Sequence, residues 1–229
     1  MINLLFFVVA CCGLGYLHIL KNRHNGQYKH NYPVNKRRLV KDVPKGNISS
    51  KDFAYLAERY KQLLTVDKLN GLATVLGVSG ASLNRLNIGW DGEAYTFPMS
   101  NNFGSIIGIR RRFPNSRKVS VKGSKNGLFI PQGLSADGFL LVCEGVSDTA
   151  AALNLGFSAI GRPNCNSKIE MTVKAASSQK EIVIAGDNDN VGKSGARRLA
   201  GAMAFALKKT SNPKKLIFHD VVKLETTLP

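Results

Sequence analysis

Residues 139–145, FLLVCEG, and 181–189, EIVIAGDND, follow one plan. Each is an apolar run of strand length that stops at glycine and carboxylates: Glu144-Gly145 in the first, Gly186-Asp187 and then Asp189 in the second. Apolar runs without polar alternation belong to strands covered on both faces, as in parallel sheets. Between and after them the apolar spacing becomes that of a helix. From 138 onward the chain therefore predicts strands over 139–143, 158–160, 181–185 and 215–218. It predicts helices over 147–155, which Gly156 closes, over 167–177 and over 192–208. Strand and helix alternating in this way predict an α/β unit, a parallel sheet flanked by helices.

In such a sheet functional groups gather beyond the carboxyl ends of the strands. Glu144, Asp187 and Asp189 stand at such ends, and Asp148 follows one helical turn after Glu144. The strand order is not written in these runs, but adjacent strands would bring the three carboxylates to one edge. Acids gathered there repel one another unless a cation lies between them. Oxygen-only ligands select Mg²⁺ or Mn²⁺, which keep several waters and recruit phosphate oxygens. Asp-x-Asp suits this, because residues two apart share a face of an extended segment. Gly145 and Gly192 are expected where backbone or substrate approaches closely. The helix opened by Gly192-Lys193 offers N-terminal amides and a cation to a phosphate. Singly, Asp-x-Asp and Glu-Gly are ordinary loop sequences; together, at two strand ends and followed by D-N-D-N-x-G-K, they are far more specific.

Charge narrows the class of partner. Lys and Arg number 32 against 15 Asp and Glu, a net of +17 in 229 residues. That excess, spread along the chain, points to a polyanion, first nucleic acid and second a membrane surface. Cys11, Cys12, Cys143 and Cys165 form no C-x-x-C pair, which argues against a disulfide framework or a zinc ribbon and for reduced thiols in the cytoplasm. Residues 48–137 predict a small basic α+β subdomain. Its helices are expected over 53–64, 66–76 and 81–86, and its strands over 95–99, 105–112, 118–121 and 128–130. Residues 1–47 comprise an apolar leader and a basic linker. The stretch 2–20 is long enough to span a bilayer, and the basic residues after it would leave the rest of the chain in the cytoplasm; the competing reading is a start-site artefact. The α/β unit is placed at 138–220, with a tail at 221–229.

Residues 144–153, E-G-V-S-D-T-A-A-A-L, followed by 182–192, I-V-I-A-G-D-N-D-N-V-G, resemble the TOPRIM domain. Bacterial-type primases, topoisomerases, recombination-repair proteins and some nucleases share that domain. Residues 93–112, EAYTFPMSNNFGSIIGIRRR, then Lys118 and N-G-L-F-I-P at 126–131, are similar to the basic subdomain that precedes TOPRIM in bacterial and phage primases. The resemblance implies that Glu144 is a metal ligand or general acid/base, that Asp187 and Asp189 bind Mg²⁺ or Mn²⁺, and that Asp148 supports them. It places Arg110, Arg111, Arg112, Lys118 and Lys125 among residues that contact template or nucleotide. Tyr95, Phe97, Phe103 and Phe113 are candidates for stacking on bases.

The activity so implied is that of a DNA primase from a phage or mobile element, a metal-dependent nucleotidyltransferase acting in DNA replication. Its partners would be single-stranded DNA, nucleoside triphosphates and a replicative helicase. Two alternatives stand beside it: a TOPRIM nuclease or phosphodiesterase, and a non-catalytic nucleic-acid-binding protein. Departures from the family pattern are the missing zinc ribbon and the missing helical continuation after TOPRIM, so a truncated core is expected.

Overall fold

Phe53, Leu56, Ala57 and Tyr60 recur at helical spacing and bury one face of α1 (Ser50–Gln62). Thr65 and Ser79 then accept the backbone N–H groups of Lys68 and Ser82, capping α2 (Val66–Leu76) and α3 (Gly80–Arg85). Gly77, at φ 66, ends α2 in the left-handed conformation. The computed structural model describes residues 50–135, 139–187, 189–207 and 215–218. The apolar leader at 2–20, the basic linker and the tail lie outside the described residues. Among the described residues no helix is long and apolar enough to cross a membrane.

An antiparallel sheet follows, in the order β1 (Gly89–Trp90), β2 (Tyr95–Ser100), β3 (Ile106–Arg112), β4 (Lys118–Ser120). The two residues of β1 are too few to show a period, so the sequence does not announce them. Asp91 Oδ1 takes the N–H groups of Glu93 and Ala94 and forms the β1–β2 turn. Asn101 Oδ1 does the same for Phe103 and Ser105 at the β2–β3 turn. α1 packs on one face of this sheet, around Ile109. Trp90 lies between the Tyr95 ring, 5.0 Å away edge-on, and the Lys68 ammonium, 3.8 Å from its ring centre.

The second half is the expected alternation. β5 (Phe139–Glu144), α4 (Val146–Asn154), β6 (Ala159–Arg162), α5 (Ile169–Ala176), β7 (Glu181–Ala185), α6 (Asn190–Leu207) and β8 (Lys215–Phe218) follow one another. Their sheet is parallel throughout, in the order β6-β5-β7-β8. Both faces are covered, as the unbroken apolar runs require. Leu140, Val142, Ile182 and Ile184 face a core with Leu199 and Met203 of α6. Leu141, Cys143 and Val183 face a core shared with Leu72 of α2, Leu83 of α3 and Phe97 and Met99 of β2. The two halves thus hold one core in common.

The strand expected over 128–130 takes another form. Leu128 pairs with Ser100 at the end of β2, through two backbone hydrogen bonds of 2.8 Å. Phe129 pairs with Gly161 of β6, through bonds of 2.8 and 2.9 Å. Two consecutive residues therefore join the antiparallel sheet to the parallel one. Gly161 has no room for a side chain. A Cβ there would stand 3.0 Å from the Gly145 carbonyl oxygen and 3.1 Å from the Phe129 ring, and closer still to Thr149 Oγ1. Gly161→Ala is expected to lower the melting temperature by roughly 2–4 °C for each kcal/mol of stability removed. Adding Thr149→Ala removes the nearest clash, so the double variant should lose less than the sum of the single losses in thermal melts.

Candidate active site at the junction of the two sheets

β5 and β7 are hydrogen-bonded neighbours, with Cys143 level with Ala185. Their carboxyl ends therefore lie side by side, and Glu144 and Asp187 share one edge of the sheet. Asp148, in the first turn of α4, joins them. Gly145, between strand and helix, has φ +90 with open space around it. Its backbone conformation alone calls for glycine, and no other described part of the chain comes close to where a Cβ would stand. Gly192 is the position of close approach, since a Cβ there would stand 2.8 Å from the Asp187 nitrogen.

The carboxylates act on one another. Asp148 is pushed up to about 7, first by burial, then by the charge of Asp187, with Glu144 adding to it against an opposing pull from Lys118. The Asp187 carboxyl is also raised, by partial burial and by the charges of Glu144 and Asp189, and Lys118 again opposes this. Asp189 carries a second duty. Its Oδ1 accepts the Gly192 N–H at 2.6 Å and so caps the start of α6. Of the helix's N-terminal amides, that of Gly192 is thus taken by the chain's own carboxylate. Lys193 also turns its backbone N–H to the Asp189 carbonyl.

The opposite wall comes from the basic sheet. Arg110 and Arg112 alternate with Arg111 and point to the other face. Arg112 is 7 % exposed and reaches Ser147 Oγ of α4 at 3.4 Å; burial lowers its pKa. Lys118 is level with Arg112 across β3 and β4, and its charge is felt at both Asp148 and Asp187. Arg110 bonds Ser120 at 3.1 Å. Arg111 is turned away, bound to Asp91 at 2.5 Å and Glu93 at 3.3 Å and stacked on Phe113. Lys125 lies farther along β3, its N–H on the Ile107 carbonyl. Lys118 is therefore the cation that acts on the carboxylates, Arg112 reaches the first turn of α4 at Ser147, and Arg111 is turned to the other face.

A further residue, unmarked in the sequence, holds Glu144 in place. Arg162, at the end of β6, is 3 % exposed and level with Glu144. Its guanidinium donates to the carbonyls of Cys165 at 2.5 Å and Ser167 at 3.0 and 3.1 Å. The loop so fixed returns the Cys165 N–H to Glu144 Oε1 at 3.0 Å. Its one signal in the sequence is an arginine ending an otherwise apolar strand.

The donor set fits a hard cation. Among the described residues no three His, Cys, Asp or Glu side chains form a ready-made metal cage. A Mg²⁺ that keeps its waters and takes phosphate oxygens needs only one or two carboxylates. The mutual repulsion at Asp148 and Asp187 is what positive charge would relieve.

The chain is similar to several solved structures. A DnaG catalytic core matches over 74 % of this chain and 70 % of its own, at 18 % identity and a TM-score of 0.57. The fold is that of a DnaG-type primase catalytic core, TOPRIM half included. A DnaG primase catalytic domain bound to single-stranded DNA matches over 74 % of this chain and 71 % of its own, at 17 % identity and a TM-score of 0.56. A DNA primase domain from Pseudomonas aeruginosa matches over 72 % and 68 %, at 17 % and 0.54. No protein-family model and no curated protein sequence matches the chain.

The raised Asp148 carboxyl has a measurable effect on stability. The folded protein keeps a proton that the unfolded chain releases near pH 4, so this contribution is full below about pH 4 and is lost as pH rises through about 7. In EDTA, Asp148→Asn is expected to melt higher than the parent at pH 8, and this gain should shrink toward pH 5. Thermal melts of both proteins across that range check it.

Proposed function

We propose that the chain is a primase-type nucleotidyltransferase that makes short primers on single-stranded DNA. The observation that carries this reading is the facing pair of walls. Glu144, Asp148 and Asp187 gather at the carboxyl edge of the parallel sheet, Lys118 of the basic sheet acts on them, and Arg112 of that sheet reaches the same helix turn at Ser147, in a fold like that of primase cores.

In this reading the 3′-hydroxyl of the primer gives its proton to Glu144 while its oxygen bonds the α-phosphorus of the incoming nucleotide. The bond from that phosphorus to the pyrophosphate oxygen breaks, and pyrophosphate leaves. Glu144 is suited to the task because the Cys165 N–H fixes one carboxylate oxygen and Arg162 fixes that loop. Arg112 and Lys118 stabilise the phosphate charge from the opposite wall. A Mg²⁺ or Mn²⁺ held by Asp187 and Asp189 would supply Lewis-acid stabilisation of that charge.

The test incubates the full chain with single-stranded DNA, labelled ribo- or deoxynucleoside triphosphates and Mg²⁺ or Mn²⁺, and sizes the products. New oligonucleotides are expected, and they should vanish in the Asp187→Asn, Asp189→Asn protein. Glu144→Gln should lower the rate by about 10²- to 10⁴-fold. Shortened template without synthesis would instead make the protein a nuclease. Binding without turnover would make it a non-catalytic nucleic-acid-binding protein.

A further inference from the structure

The sequence offers four aromatic residues for stacking on bases, and the structure separates them. Phe97 is buried in the shared core. Tyr95 packs against Trp90 and sends its hydroxyl to the Lys68 carbonyl. Phe113 is covered by two guanidinium groups, Arg111 at 4.7 Å and Arg117 at 4.0 Å from its ring centre. Phe103 alone of the four is open. It is 87 % exposed, the most exposed of the large apolar side chains described.

Its exposure does not come from a loose loop. Asn101 Oδ1 holds the N–H groups of Phe103 and Ser105 at 2.9 and 3.0 Å, and the Gly104 N–H bonds the Asn101 carbonyl at 3.1 Å. The turn presents a phenyl ring to water with its backbone already fixed. Such a ring can cover an apolar face at little further cost in backbone order.

The surroundings indicate what that face belongs to. Lys118, Lys122 and Lys125 are all exposed. They follow the outer edge of β3: Lys118 is level with Arg112, the Val121 N–H bonds the Ile109 carbonyl, and the Lys125 N–H bonds the Ile107 carbonyl. Among the described residues none of these three ammonium groups has an ion pair or hydrogen bond. β3 is about 20 Å long at 3.4 Å per residue. Lys122 and Lys125, without an ion pair, thus continue the row from Lys118, at the carboxylate end of β3, toward Phe103 beyond the other end. A row of cations that ends in an exposed aromatic ring matches a charged backbone carrying flat, unpaired bases.

We infer that Phe103 stacks on an unpaired base of a single-stranded nucleic acid whose phosphates follow Lys118, Lys122 and Lys125. The inference rests on the nucleic-acid reading of the site and adds to it where the strand is gripped, from Lys118 beside the carboxylates out to Phe103 at the far end of β3.

The test uses the full chain and a fluorescein-labelled oligo(dT), with binding followed by anisotropy at several salt concentrations. Phe103→Ala should weaken binding by about 5- to 150-fold, the range of one base–aromatic stack, and its melting temperature should stay unchanged because the ring touches no core. Phe103→Trp should restore the affinity, and its added tryptophan emission should be quenched by oligo(dT). Lys122→Ala with Lys125→Ala should reduce the salt slope by about 1.4, roughly 0.7 for each phosphate of a single strand that no longer meets a lysine. A strand of abasic residues should bind the parent and Phe103→Ala proteins equally. If the parent binds oligo(dT) and Phe103→Ala binds it as well, the stacking role is overturned and the nucleic-acid reading stands. If the parent does not bind oligo(dT), both fall. If phosphatidylserine vesicles, and not oligo(dT), show the dependence on Phe103, the surface is a membrane contact and the inference is overturned.

Discussion

The structure depends on the adjoining pairs at Leu128 and Phe129. Leu128 bonds the antiparallel sheet and buries its side chain against Leu140, Val142 and Ile160. Phe129 bonds the parallel sheet and buries its ring among Phe97, Met99 and Leu141. Two neighbouring residues therefore enter the cores on opposite faces of the parallel sheet while their backbones tie two sheets together. That geometry brings the start of β4 to the carboxyl end of β5. The carboxylates and the cations that face them come from halves of the chain that share no strand. Their separation is fixed by backbone hydrogen bonds and a common core, not by the ions themselves.

The acidic edge is costly, and the chain meets that cost in several ways. Asp148 is pushed up to about 7, Asp189 uses one oxygen as a helix cap, and Lys118 lends positive charge from the other sheet. Arg162 is the least visible contributor. It is a buried guanidinium whose bonds go to carbonyls, and it acts on Glu144 through the Cys165 N–H. Buried arginines are stable when their donors are satisfied in this way. Cys143 and Cys165 are free thiols beneath this edge, and burial raises both.

Much of this is legible in the chain. The apolar runs of β5 and β7 are long, uniform and bounded by glycine, so their ends and the carboxylates on them follow from pattern. Strand order does not, because nothing in an apolar run names its neighbour. The two bridges at 128–129 read as one short strand for the same reason. Arg111 groups with Arg110 and Arg112 as a run of charge, yet strand alternation already places it on the opposite face, and Asp91 and Glu93 are the partners waiting there. Asp189 stands out in the sequence for its charge, while its place just before a helix points equally to capping. Arg162 escapes such a reading because a positioning role depends on a loop whose shape no local spacing encodes.

Trp90 offers a last consequence. It is the one tryptophan of the chain, and it lies in the basic half, between Tyr95 and Lys68. Its emission therefore reports on that half alone, while the circular dichroism of the helices is shared by both. A chain whose halves are joined by a common core and two adjacent bridges should lose the two signals at the same denaturant concentration. The optical label needed to ask whether this is one cooperative unit is already built into the sequence.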